Sequence, residues 1–356
     1  MTDTTSLQHE PVGIPERSFG RIVRSVLGYA LLVALMIVSP LLRLPLFIFV
    51  PAAVFACAAR NGRSAATFML ALATTFTVFV VVQAAHVPGT PANEAMMMVA
   101  YVMAFVTAVC IPALVVLPQV ERGEPFGRVL VTAVISGIPG LAATEAIMQA
   151  GYGFSPYREQ VARANQMVAL IIDAYQKAAI PADKIAVMSH WFKIGVSLVP
   201  SYFLIDIIIV FVLSLVMFGR LKAWRDFMTR RAPGAERDPV AQAYLFRNFA
   251  LPEWLLFAFI IGGATPLASG MLQKVTANIL AVVAFLYLLQ GLAIFRFLLV
   301  AVGAGFGGVM FGYLLLGILT ITGISPFLLS IAGLFDSFFD FRHFRRKDHS
   351  DESHPH

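Results

Sequence analysis

Charge is scarce in this sequence. Asp, Glu, Lys and Arg make up 13% of its 356 residues, against 59% hydrophobic ones. A water-soluble chain of this length needs about twice that share of charge to cover its surface. Cysteine is scarcer still. Cys57 and Cys110 stand far apart within apolar runs. That placement offers no disulfide or metal spacing and suits two small buried hydrophobes. There is no glycine-rich loop followed by Lys and Ser or Thr to cradle a nucleotide phosphate, and no His-Glu-x-x-His pair to hold zinc. The histidines are scattered, and His343, His349, His354 and His356 sit in the tail. No Ser, His and acid group declares itself, so an enzyme is not expected, nor a cofactor or bound metal. Met1 to Glu16 is polar and lacks the apolar core of a secretory signal. Residues 1–20 therefore read as a disordered cytoplasmic tail.

What the chain does have is apolar runs, one after another from Ser25 to Phe341, with almost every charge at the end of a run. The cause is the solvent. A charge at a bilayer centre costs ~3 kcal/mol or more, which drives charge to the interfaces. The expected fold is all-α: a polytopic membrane helix bundle of roughly eight to ten segments over residues 21–341, followed by a basic and polar tail at 342–356. The runs are Ser25 to Leu42, Leu44 to Ala59 (broken by Pro45 and Pro51), Ala65 to Ala85, Ala95 to Leu117 and Val129 to Met148. Val196 to Phe218, Trp254 to Leu272, Ala277 to Val302 and Val309 to Leu334 complete the set.

Basic residues orient these runs. Arg17, Arg21 and Arg24 ahead of the first run put the N-terminus in the cytoplasm. The basic segment 219–248, with Arg220, Lys222, Arg225, Arg230, Arg231 and Arg237, belongs on the same side. The net charge of +6 is thus a topology signal and not a nucleic-acid signal. Segments His86 to Glu94 and Gly151 to Lys193 fit outside. Nine spans would leave the C-terminal Arg342, Arg345, Arg346 and Lys347 outside, so the last run is expected to break at Gly323 to Pro326 and return the tail to the cytoplasm. Within the outer segment 155–193, Val161, Val168, Ile171, Ile172 and Tyr175 recur at helical spacing among charged residues. They predict an amphipathic helix, serving either as a connector packed on the bundle or as a lid over a ligand.

Polar residues inside apolar runs are the candidates for function. Asp206 sits in Tyr202-Phe-Leu-Ile-Asp-Ile-Ile-Ile, and Glu145 lies late in its run beside Thr144. A carboxylate facing lipid is costly, so both are expected to face the interior and to line one polar cavity in the outer half of the bundle. Gly137, Pro139 and Gly140 are expected to break the Val129 run beside that cavity. Asn278 and Gln290 share a run with Tyr287. They could contact a ligand or serve as interhelical glue, which contributes ~1 kcal/mol per hydrogen bond. Gln83 and His86 end a run at the outer surface, and Gly303, Gly307, Gly308 and Gly312 offer close helix packing.

Two segments carry a family resemblance. Asn278-Ile-Leu…Leu286-Tyr-Leu-Leu-Gln-Gly-Leu-Ala, followed by Ala332-Gly-Leu-Phe-Asp-Ser-Phe-Phe-Asp-Phe-Arg342, resembles the C-terminal half of the YybS-like bacterial membrane proteins. Leu44-Pro-Leu-Phe…Pro51 and Leu198-Val-Pro-Ser-Tyr are similar to that family too. The resemblance implies a bacterial inner-membrane location and a distant likeness to the substrate-binding membrane components of energy-coupling-factor transporters. It supplies no ligand. Two readings follow. One is a small-molecule binding or transport subunit in the lipid bilayer, energised by a partner such as an ATPase. The other is a non-transporting scaffold that works with an envelope-assembly partner.

Overall fold

The computed structural model describes residues 43–71, 74–75, 92–229, 239–321 and 323–339, and no strand occurs among them. The first helix, α1 (Arg43–Asn61), is followed by α2 at 63–71. Three long helices form the centre: α3 (Ala92–Arg122), α4 (Phe126–Tyr152) and α7 (Val199–Thr229). Between α4 and α7 lies a hairpin of α5 (Pro156–Lys177) and α6 (Ala182–Ser197). Past α7 come the short α8 (Pro239–Ala243) and α9 (Leu255–Gly263), then the long α10 (Gly270–Ala301). The chain continues through α11 (Phe306–Ile321) and α12 (Ile324–Phe339).

Among the described residues, four helices are long and apolar enough to cross a membrane: Ala92–Arg122, Phe126–Tyr152, Val199–Lys222 and Gly270–Ala301. A fifth crossing is reached if the bent pair α11–α12 counts as one. This is fewer than the eight to ten segments expected. Part of the shortfall is simple coverage. The Ser25–Leu42 run, most of Ala65–Ala85, Gln83, His86, the basic residues from Arg230 to Arg237 and the tail after Phe339 lie outside the described residues. The rest is physical. The Trp254–Leu272 run yields only α9 and a short 3-10 turn at Thr265–Leu267, too brief to span.

Prolines bend this fold less than their positions suggest. The Leu44–Ala59 run is one continuous helix, with Pro45 in the first turn, where its missing N–H costs nothing, and Pro51 inside. Helix α4 likewise runs unbroken through Gly137, Pro139 and Gly140, which corrects the expected break. The irregularity sits opposite, in α3, as a π turn at Val106–Cys110. There the Ile111 N–H bonds to Val106 O instead of to Thr107 O, and Pro112 has no N–H to offer Ala108. Those displaced carbonyls lie against α4. A Cβ on Gly140 would collide with Thr107 O, and one on Gly137 would come within 3.1 Å of Ala108 O. Thr107 Oγ1 secures the contact, donating to Gly140 O at 2.9 Å and lying 3.0 Å from Thr144 Oγ1. At the last run the expected break is present: α11 and α12 meet at 114° around Gly323, whose φ is +73°.

The core is a continuous apolar cluster in which Phe55 of α1, Val116 of α3, Leu130 of α4 and Phe211 and Leu215 of α7 are fully buried. One end of the bundle is closed by aromatics. Phe126 packs edge-on against Tyr244 at 5.9 Å and Phe249 at 5.0 Å. Gly127 and Gly219 admit this segment, since a Cβ at Gly127 would strike Ala250 O and one at Gly219 would sit 2.8 Å from Tyr244 Cβ. Burial and the Glu124 charge hold the Tyr244 phenol well above its ordinary pKa, so it stays neutral. The segment read as a loop from Gly219 is helical as far as Thr229, because Leu221, Lys222 and Ala223 are good helix formers.

Of the glycines expected to pack closely, Gly312 does so, a Cβ there standing 3.0 Å from Leu299 Cδ1 of α10. Gly303 and Gly307 have open space where a Cβ would stand. At the crossing of α10 and α12, a Cβ on Gly291 would collide with Leu329 O, and one on Gly333 with Tyr287 O. Each helix thus admits the other's backbone, a contact only glycine permits. Ser330 Oγ adds a bond to Ala284 O at 3.1 Å.

Candidate ligand-binding cleft

The opposite end of the bundle is built differently. Ser155 caps α5, its Oγ accepting from Arg158 N–H at 3.2 Å, and Pro156 follows at the first helical position. Glu145 of α4 holds the same turn. One carboxylate oxygen accepts the Ser155 hydroxyl and the other accepts the Tyr157 N–H at 3.0 Å. Helix α5 is the predicted amphipathic helix, with Val161, Val168, Ile172 and Tyr175 half-buried along its inner face. Neither α5 nor α6 contains a buried residue, so the hairpin leans on the bundle without being packed into it.

Two adjoining cavities lie under this hairpin. The first, about 310 Å³, is walled by Met97, Ala100 and Ala104 of α3, Ile138 and Leu141 of α4, and Phe203 and Leu204 of α7. Glu145, Tyr157 and Gln160 stand at its rim. The second, about 580 Å³, lies between α5, α6 and α7, with Arg163, Met167, Trp191, Phe192, Tyr202 and Asp206 among its walls. Tyr101, Gln160 and Phe203 line both. The Gln160 amide donates to the Tyr101 hydroxyl, forming a polar partition between the chambers. Volumes of this size fall within the ~300–1,000 Å³ typical of small-ligand sites.

The five sequence candidates separate into three groups. Glu145 and Asp206 line different chambers of this cleft, not the one shared polar cavity expected, and the chamber holding Glu145 is mostly apolar. Both Glu145 oxygens are engaged in fixing α5. Asp206 is exposed along α7 toward the second chamber, and among the described residues no hydrogen bond or ion pair reaches its carboxylate. Asn278 is an interhelical clamp. Its Oδ1 accepts Ser201 N–H at 2.9 Å and its Nδ2 donates to Ser197 O at 3.1 Å, joining α10 to the kink between α6 and α7. Gln290 and Tyr287 lie far along α10, in the crossing with α12. Gln290 accepts Leu251 N–H at 3.1 Å and donates to Asp336 at 3.0 Å, fully buried. Tyr287 stacks edge-on with Phe259 at 5.8 Å. These three residues line neither cavity.

Tyr101, Gln160, Arg163, Trp191 and Phe203 are cleft residues that sequence reasoning missed. Gln160 and Arg163 carry a signal, being three apart on the inner face of a predicted amphipathic helix. The aromatics carry none, since an aromatic in an apolar run reads as core.

Long apolar helices, a glycine-locked crossing and a hairpin over a cleft define a helical membrane protein. Its family follows from comparison. The family described as "Predicted membrane protein (DUF2232)" matches residues 28–337, and the chain belongs to it. No curated protein and no solved structure matches the chain.

Proposed function

We propose that this protein binds a small molecule in the two-chambered cleft beneath the α5–α6 hairpin, as the binding or transport subunit of a system energised by a separate protein. One contrast carries the reading. Elsewhere in the bundle, intramembrane polar side chains such as Asn278 and Gln290 are committed to neighbouring helices. Asp206 instead offers its carboxylate to a cavity. A charge kept within a membrane span without a protein partner is a functional feature by default. The finer placement goes with this reading: a multi-pass protein of the bacterial inner membrane, N-terminus cytoplasmic, with the hairpin outside. The YybS-like resemblance and its distant energy-coupling-factor likeness support a ligand-binding rather than a catalytic role.

Native mass spectrometry of the gently solubilised complex tests the reading. The expected result is a small-molecule adduct that disappears in Ala104→Phe, which fills the first chamber, together with a co-purifying ATPase. The clamps at Asn278 and Gln290 also suit a scaffold. A ligand-free protein bound to envelope-synthesis partners would favour that second reading and overturn the first.

A further inference from the structure

We infer that the ligand of this cleft is an organic cation with an apolar body, its ammonium or amidinium group held at Asp206 and its apolar part in the chamber beyond Phe203. The inference rests on the binding reading above and deepens it by charge and shape. One other charged side chain lines the second chamber, and it has an ion-pair partner on its own helix. Arg163 lines it but is already matched by Glu159 at 3.0 Å. Asp206 is left as the charge on this wall with no ion-pair partner among the described residues. Its surroundings are aromatic. Trp191, Phe192, Tyr202, Phe203 and Tyr101 line the same chamber, and aromatic ring faces attract organic cations such as ammonium and guanidinium groups. A small hydrated metal ion does not fit this wall, since no group of three His, Cys, Asp or Glu converges among the described residues.

The apolar chamber supplies the other half of the argument. An inorganic or fully polar cation would leave its walls of Met97, Ala104, Ile138 and Leu141 without use. A hydrocarbon or aryl group entering from the vestibule would pass the Tyr101–Gln160 partition, whose single hydrogen bond is a small barrier to displacement. The two chambers together fit a molecule that is cationic at one end and apolar at the other.

Calorimetric titration of the full-length protein in nanodiscs tests this, using three probes of one shape: 3-phenylpropylamine, 3-phenylpropanol and 3-phenylpropionate. Empty nanodiscs set the background for partition into lipid. The amine should bind at least tenfold tighter than the alcohol, and the carboxylate more weakly than either. Asp206→Asn should bring amine and alcohol within threefold of each other, while Asp206→Glu should keep the preference for the amine. Ala104→Phe should weaken all three probes. Equal binding of amine and alcohol, lost in Ala104→Phe but unaffected by Asp206→Asn, would overturn the cation inference and leave the binding cleft standing. Tighter binding of the carboxylate would overturn it in favour of Arg163. Titrations unchanged by Ala104→Phe would sink both readings. Size-exclusion profiles matching the parent protein show that each variant is folded.

Discussion

The crossing of α10 and α12 and the cleft under the α5–α6 hairpin are opposite solutions to one problem, how to place polar groups inside an apolar bundle. At the crossing, glycines bring backbones into contact, and Gln290 ties Leu251 and Asp336 together. At the cleft the helices stand apart, the hairpin buries nothing fully, and Asp206 is left facing open volume. The first arrangement holds the bundle together. The second leaves open volume between helices. Tight packing and open volume thus fall to different helices, α10 and α12 on one side and α3 to α7 on the other.

Four experiments probe that contrast. The largest expected effect is all-or-none and concerns sidedness. Single cysteines introduced at Ala178, in the hairpin, and Gln242, beside the aromatic end, should label from opposite faces of the membrane. The native thiols Cys57 and Cys110 are buried and should stay silent. Labelling of both sites from one face would mean that the hairpin and the Tyr244 segment share a side.

Next in size is Gly291→Val. Its Cβ would meet the Leu329 carbonyl, a backbone atom that can move only if the helices separate. A loss of ~3 kcal/mol or more is expected, or failure to assemble, read by thermal denaturation in detergent. Gly307→Ala, placed in open space, should change stability by less than about 0.5 kcal/mol. Similar effects for the two would erase the distinction drawn between packed and unpacked glycines.

Gln290→Leu removes the acceptor of the Leu251 N–H and one partner of Asp336. A cost of about 1–3 kcal/mol follows from stranding a buried donor. An unchanged melting temperature would show that water replaces the amide.

Glu145→Gln is the mildest. An amide can accept only one of the two bonds that the carboxylate accepts from Ser155 and Tyr157, so about 1 kcal/mol of local stability should go. Hydrogen exchange should rise over residues 155–160, with global melting nearly constant. Exchange spreading into α4 would mean that the hairpin and the bundle open together.

Hydropathy alone made the long spans legible, because the bilayer penalises every misplaced charge in the same way. The amphipathic α5 and the bend at Gly323 were legible for similar reasons, a helical period in one case and a Gly-to-Pro signal in the other. Three features were not. Pro139 looked like a helix breaker, but whether a proline breaks a helix depends on what surrounds it, and here α3 supplies the irregular turn instead. Glycine stripes looked equivalent in sequence, yet only those facing another backbone matter, and facing is a tertiary property. Likewise Asn278 and Asp206 both read as polar residues in apolar runs. Only the fold shows that one is clamped to Ser197 and Ser201 while the other looks into a cavity.

The π turn at Val106–Cys110 has a further consequence for α3. A surplus residue in a helix rotates everything beyond it by roughly 100°, since each residue advances the helix by that angle. Helix α3 is therefore two helices in different phase on one axis. Its first part presents Met97, Tyr101 and Ala104 to the cleft, while its second presents Ala113, Val116 and Val120 to the core. Removing one residue from the turn would restore a single phase and turn one of those faces away from its neighbours. The same turn, migrating a few residues along the helix, would rotate the intervening side chains without moving either end, as a crankshaft turns between fixed bearings.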